Sequence, residues 1–239
     1  MSTSNEAQMA DYTLYYWPIP FRGQFIRSTL AHVGASWVEA DVDDLVHLKN
    51  SDPSEQAVPF MGPPVLVDHS RDQSLAQTQA ILAYLGAKYG LIPDDLGKSA
   101  LTHKVIADAN DVLYEMTLHN GAQMWTQSSW DMFCPRLERW MAIFEALGAQ
   151  HGLSDKEGFI LGTEEPGVAD LVTYSLWGVM TAQLPSIRPI LDRAAPALAG
   201  LSDRIGDLPD QSELWHRSKE EYGDAWCGGQ IEASLRAVT

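Results

Sequence analysis

Pro63–Tyr89, PPVLVDHSRDQSLAQTQAILAYLGAKY, is the stretch on which the fold turns. Two prolines enter a short apolar run, Val65–Val67, whose branched side chains suit a buried strand. His69–Gln73 is a turn leading to a short edge strand. From Thr78 the apolar spacing changes, and Ile81, Leu82, Leu85 and Tyr89 fall on one broad helical face. Gln77 and Thr78 therefore stand at a helix start, where unpaired backbone N–H groups can receive a carboxylate. A plain threonine N-cap satisfies the same donors, and both roles are compatible. Pro63 biases its neighbours toward extended geometry, and either proline bond suits a cis turn.

About fifty residues upstream lies a second strand-to-helix segment, Tyr12–Arg27, YTLYYWPIPFRGQFIR. Its strand, Tyr12–Trp17, is ended by Pro18 and Pro20, and a helix follows from about Arg22 with Phe25, Ile26, Leu30 and Val33 as its apolar stripe. Gly34 stops that helix, and Trp37–Val42 reads as another strand. Asp43–Met61 is polar and irregular. The order β-α-β, β-β-α places helices against a small mixed sheet. Beyond a linker at 91–98 the periodicity is wholly helical, near 99–123, 131–149, 167–182, 196–206 and 211–222. A small α/β domain followed by a larger all-helical one is the expected architecture.

The chain has 239 residues, 45% hydrophobic and 20% charged, which suffices for a buried core without covalent staples. A net charge of −16 favours solubility and disfavours nucleic acid or an anionic membrane surface as partner. No apolar run reaches the length of a spanning helix, and the first ten residues show no secretory pattern. Cys134 and Cys227 are the only cysteines and lack metal or redox spacing, which points to two reduced thiols, a cytoplasmic setting and no metal site.

These pieces, in this order and spacing, resemble the cytosolic glutathione transferase superfamily over nearly all of residues 12–225, and in particular a bacterial-type member of its tyrosine-type classes. Tyr16-Trp17-Pro18 matches the end of that family's first strand, and Arg22-Gly23 its first helix. Pro64–Leu66 and Leu75–Leu85 match its Pro-x-Leu strand and following helix, with Thr78 replacing serine. Val168-Ala169-Asp170 matches a motif opening a core helix of the second domain. The resemblance implies a thioredoxin-like glutathione-binding domain at 12–90 and an all-helical substrate and dimerisation domain at 99–225. Residues 1–11 and 226–239 are then tails.

What the resemblance implies for the site follows residue by residue. Ile19-Pro20-Phe21 fills the place where cysteine- and serine-type members carry their reactive group, and isoleucine cannot act there. Tyr16 is left as the catalytic residue, donating a hydrogen bond to the glutathione sulfur so that thiolate is favoured for attack on a hydrophobic electrophile. Tyr15 is the rival hydroxyl. Gln77 and Thr78 would hold the γ-glutamyl carboxylate, Lys49 the glycyl carboxylate, and Asp111 or Glu115 the α-amine, reached from a neighbouring subunit in a twofold homodimer. Arg22 stands beside this glutathione site and also pins the first helix. Pro64 is the structural cis-proline. The residue before it, Pro63, can offer glutathione a carbonyl but no N–H. Tyr114, Met116, Trp125 and Trp130 are the expected electrophile pocket. Asp170 orders its helix, and Gly167 leaves the usual capping box incomplete. Other readings stay open: a non-catalytic ligand-binding protein or scaffold, or a glutathione-dependent isomerase, peroxidase or lyase.

Overall fold

The computed structural model describes residues 10–239. Strands β1 (Tyr12–Tyr15), β2 (Trp37–Glu39), β3 (Val65–Asp68) and β4 (Gln73–Ala76) form one mixed sheet in the order β2-β1-β3-β4. β1 is parallel to β2 and antiparallel to β3, with Tyr12 opposite Asp68 and Tyr15 opposite Val65. Helices α1 (Phe21–His32) and α3 (Thr78–Tyr89) pack on each other, and α2 (Val42–Asn50) follows β2. The rest is helical: α4 (Leu96–Met116), the single turn α5 (Leu118–Gly121), α6 (Gln127–Gln150), α7 (Val168–Thr173), α8 (Val179–Gln183), α9 (Arg188–Ala194), α10 (Pro196–Gly206), α11 (Pro209–Tyr222) and α12 (Gly229–Arg236). A thioredoxin-like sheet layer followed by an all-helical part is the architecture the sequence implies. No helix among the described residues is long and apolar enough to cross a membrane.

α2 and α12 depart from the sequence reading. α2 begins at Val42, the last residue read as strand, and runs into the polar stretch from Asp43; only Leu45 is buried, so the apolar stripe is too thin to show a period. The run 226–239 read as a tail forms α12, anchored by buried Trp226 and Leu235. Residues 1–9 of the other tail lie outside the described residues. Asp11 exchanges hydrogen bonds with Ser36, accepting from its hydroxyl at 2.7 Å and donating its own N–H to that oxygen at 2.9 Å.

Two buried acids set the frame. Asp68, fully buried, accepts from Ser70 Oγ (2.6 Å), Tyr84 Oη (2.6 Å) and Lys88 Nζ (2.5 Å). Burial alone would raise its pKa, but those donors hold it well below the usual carboxylate range. Asp170 lies at the junction between the sheet layer and the helices. Its carboxylate accepts from the Ile160 N–H at 2.7 Å and the Gly167 N–H at 3.0 Å. The Val168 N–H meanwhile donates to the Leu91 carbonyl at 3.0 Å, tying α7 to the chain leaving α3.

That junction explains Gly167. A Cβ there would lie 2.7 Å from the Leu91 carbonyl oxygen, so the hydroxyl cap of a serine is unavailable without moving backbone. Gly167→Ser is therefore expected to cost about 1 kcal/mol through overpacking despite completing a capping pair. Chemical denaturation measures this directly, and a gain in stability would refute the steric explanation.

Candidate functional site

A cavity of about 840 Å³ opens where the end of β1, the Met61–Pro64 turn, the start of α3 and one face of α4 converge. Tyr16 lies at its floor, one residue beyond β1. Strand alternation buries Tyr12, Leu14 and Tyr16 and leaves Thr13 and Tyr15 only half-buried. Tyr16 lines the cavity and Tyr15 does not.

The phenol of Tyr16 is 4% exposed, and its oxygen accepts the backbone N–H of Arg22 at 3.1 Å. Pro20 gives α1 no side-chain cap, so Tyr16 satisfies one of the free donors in that first turn. Gly23 permits the approach, since a Cβ there would come within 2.4 Å of the Tyr16 ring. Burial pushes the Tyr16 pKa up to about 12, against the opposing pull of Arg22 and Arg27. At neutral pH the phenol keeps its proton. With one lone pair occupied by the Arg22 amide, it is a hydrogen-bond donor rather than a base.

The turn beneath it is fixed by Arg27, which the sequence reading did not single out. Its guanidinium donates to Glu39 at 2.8 and 3.0 Å and to the Ile19 carbonyl at 2.8 Å. This buried fork fixes the chain direction between Tyr16 and α1.

On the opposite wall, Gln77 precedes α3 with φ of 74°, in the left-handed half of backbone space. A non-glycine residue held there costs about 1–3 kcal/mol, which the surrounding structure must offset. Gln77, Thr78 and Gln79 line the cavity at this helix start, and Thr78 is 3% exposed. The Pro63–Pro64 peptide is cis, and both prolines line the cavity. Arg22, Lys49, Asp111 and Tyr114 complete the part of the lining expected from sequence. Asp111 reaches the cavity of its own chain.

Four expected residues do not join them. Glu115 turns toward α6, where Arg136 donates to it at 2.6 and 2.5 Å and Trp140 Nε1 at 3.0 Å. Met116 is fully buried, and its carbonyl accepts from Trp125 Nε1 at 2.9 Å. Trp125 and Trp130 pack edge-to-face at 5.3 Å, with Phe133 beside them. They seal the junction of α4 with α6 as core, burying their large apolar area in an edge-to-face cluster.

The family model for the glutathione S-transferase C-terminal domain matches residues 101–238. The chain belongs to the glutathione S-transferase family. It is 24% identical to a glutathione S-transferase of Plasmodium falciparum (isolate 3D7), covering 87% of this chain and 97% of that one. It is 27% identical to glutathione S-transferase P 1 of Xenopus laevis, covering 86% and 92% respectively. Among solved structures it is similar in fold to a Pi-class glutathione S-transferase of Onchocerca volvulus, with a TM-score of 0.73 at 21% identity, covering 92% of this chain and 98% of that one. NaGST-2 gives a TM-score of 0.69 at 19% identity, covering 87% and 97%.

Within this glutathione S-transferase, the remaining wall comes from residues no local motif marks. Asn110 from α4, Asn120 from the left-handed α5 turn, and Cys227 and Ile231 near the C-terminus all line the cavity. The last two are placed by Glu232, whose Oε2 accepts the N–H groups of Trp226, Cys227 and Gly228 at 2.9, 2.8 and 2.6 Å. Trp226 stacks edge-on to Phe21 with ring centroids 5.4 Å apart, joining this segment to α1. Burial, then the Glu232 charge, pushes the Cys227 thiol up to about 12, so it stays neutral. Among the described residues, no group of three or more His, Cys, Asp or Glu side chains could hold a metal ion.

Proposed function

We propose that this chain is a tyrosine-type glutathione transferase that binds glutathione in the Tyr16 cavity and conjugates it to a hydrophobic electrophile. The observation carrying this reading is a buried, protonated Tyr16 hydroxyl whose accepting side is already filled by the Arg22 amide. A phenol so placed donates to a sulfur anion. It lowers the cost of ionising the thiol, whose proton goes to solvent. The thiolate then attacks an electrophilic carbon, forming the C–S bond as the leaving group departs with its electron pair or, in an addition, as the adjacent carbon takes up the π electrons and a solvent proton.

The other contacts follow from the cavity. Thr78 and the α3 amides beside Gln77 receive the γ-glutamyl carboxylate at the positive end of that helix. Asp111 meets the α-amine and Lys49 the glycyl carboxylate. The Pro63 carbonyl accepts from the cysteinyl N–H. Tyr114, Ile231 and the neutral Cys227 thiol form the softer wall for the electrophile. The assembly proposed is a twofold homodimer, which light scattering tests.

Calorimetric titration of glutathione into wild type and Tyr16→Phe, in two buffers of different ionisation heat, tests the central step. Proton release on binding that Tyr16→Phe suppresses supports it. Binding without proton release in wild type removes it. Pro63 favours a second reading, a non-catalytic ligand carrier, because its missing N–H withdraws one glutathione hydrogen bond. Pro63→Ala restores a donor and is expected to tighten the glutathione Kd by about fivefold, the value of one neutral hydrogen bond. An unchanged or weaker Kd would show that glutathione does not lie along this backbone.

A further inference from the structure

Arg22 is the arginine that lines the Tyr16 cavity, and it does so without a carboxylate partner. The sequence carries 32 acidic against 16 basic residues, so carboxylates are abundant. Arg27, Arg136, Arg188, Arg193 and Arg236 all contact carboxylates. Arg22 lines the cavity half-buried, and among the described residues its side chain meets no carboxylate within salt-bridge distance. Its Nε donates instead to Asn110 Oδ1 at 3.2 Å, and its guanidinium carbon lies 4.8 Å over the Phe21 ring.

The orientation of that amide is not free. Asn110 Nδ2 donates to the Ile106 carbonyl one turn earlier on α4, at 3.0 Å, which turns Oδ1 toward Arg22. An asparagine here fixes the guanidinium and leaves its charge intact. An aspartate of the same shape would fix it and neutralise it. A cation half-removed from water without a counter-ion is costly unless an anion arrives. The same side of the cavity holds the hydroxyl proposed to face the thiolate.

We infer that Asn110 is a positioning residue for thiolate formation: it holds Arg22 as an uncompensated cation in the Tyr16 cavity, so that the arriving anion, the glutathione sulfur, supplies the missing negative charge. This inference rests on the function proposed above. Burial weakens the charged form of Arg22, as a guanidinium without a carboxylate partner should show. The other titratable groups lining the cavity are Tyr16, Lys49, Asp111, Tyr114 and Cys227. Of these only Lys49 shares the sign of Arg22, and it is exposed.

The test follows thiolate ultraviolet absorbance of bound glutathione against pH in wild type, Asn110→Asp, Arg22→Met and the double variant. Affinity for S-methylglutathione, which has both carboxylates but no thiol, is measured alongside. Asn110→Asp is expected to lower the thiolate fraction at neutral pH by about tenfold, as a carboxylate beside a compensating cation does. Its S-methylglutathione Kd should stay within about twofold of wild type, and in the Arg22→Met background the Asp effect should shrink severalfold. Asn110→Ser, which removes the amide without adding charge, should act in the same direction and serves if Asp at 110 disturbs folding.

Three results would overturn the inference: an unchanged thiol titration in both variants, an equal loss of S-methylglutathione affinity, or an Asp effect of full size without Arg22. The first leaves the Tyr16 reading standing, the second makes Arg22 a carboxylate receptor, and the third makes residue 110 act directly. Wild type that binds glutathione without forming thiolate overturns both readings together.

Discussion

Tyr16→Phe is expected to lower kcat for glutathione conjugation by about 100-fold, the usual loss when one preorganised donor to a developing anion is removed. The ring should stay where it is. Gly23 leaves space for it against α1, and the surrounding core is unchanged by loss of one oxygen. Glutathione KM should move little, because the hydroxyl is assigned to the sulfur anion and not to the carboxylates that anchor the peptide. The deletion also strands the Arg22 N–H, whose acceptor was the phenol oxygen. A modest stability loss of about 1 kcal/mol should therefore accompany the kinetic one. Steady-state kinetics with a chromogenic electrophile separates the two effects, provided the variant melts cooperatively. A variant with wild-type kcat would remove Tyr16 from the chemistry, and one with raised KM alone would make it a binding residue.

The larger effect on stability should come from Asp170→Ala, about 3 kcal/mol, since one buried and one part-buried backbone donor lose a charged acceptor at once. Both donors, from Ile160 and Gly167, lie where α7 meets the sheet layer, so little water can replace the carboxylate. The pH dependence gives a second handle. Burial pushes the Asp170 pKa up to about 6, against the Gly167 and Ile160 donors, while an unfolded aspartate titrates near about 3.9. Between these values the native state holds more protons than the unfolded chain. This group's contribution to stability therefore falls as pH rises through that window, by up to about 1.4 kcal/mol per pH unit. Asp170→Asn abolishes the titration, so the stability difference between wild type and D170N should vary with pH from about 4 to 6 and flatten above it. A difference independent of pH would mean that Asp170 is already ionised when the chain folds.

Much of the sheet layer was legible because its signals are local. Proline and glycine punctuate the ends of β1, β3 and α1, and the spacing of Ile81, Leu82 and Leu85 is enough to place α3. Strand alternation separates the faces of Tyr15 and Tyr16 but does not say which face meets the cavity, so Tyr16 rested on the family resemblance with Tyr15 as its rival. The Gln77–Thr78 end of the cavity follows from where α3 begins. The wall proposed for the electrophile was not legible. Tyr114 faces the cavity whereas Met116, Trp125 and Trp130 face the core, and an aromatic residue carries no mark of which side of a helix it will serve. Glu115 shares a helical side with Asp111 in sequence, but Arg136 and Trp140, one turn apart on α6, draw it away. Asn110 is silent for another reason: its meaning depends on the carboxylate that is not there. Cys227 and Ile231 reach the cavity only through contacts made from a helix some two hundred residues downstream of β1, which no pattern within either segment encodes.

The Glu232 clamp on residues 226–228 has a consequence for how such a protein can diversify. It secures the segment by its main chain, so the side chains of Cys227 and Ile231 are left out of that fastening. Drift at these two positions can reshape one side of the chamber while Tyr16, Thr78 and the prolines keep the other. Preference for new partners can then accumulate by small steps, without passing through forms that have lost their common reagent.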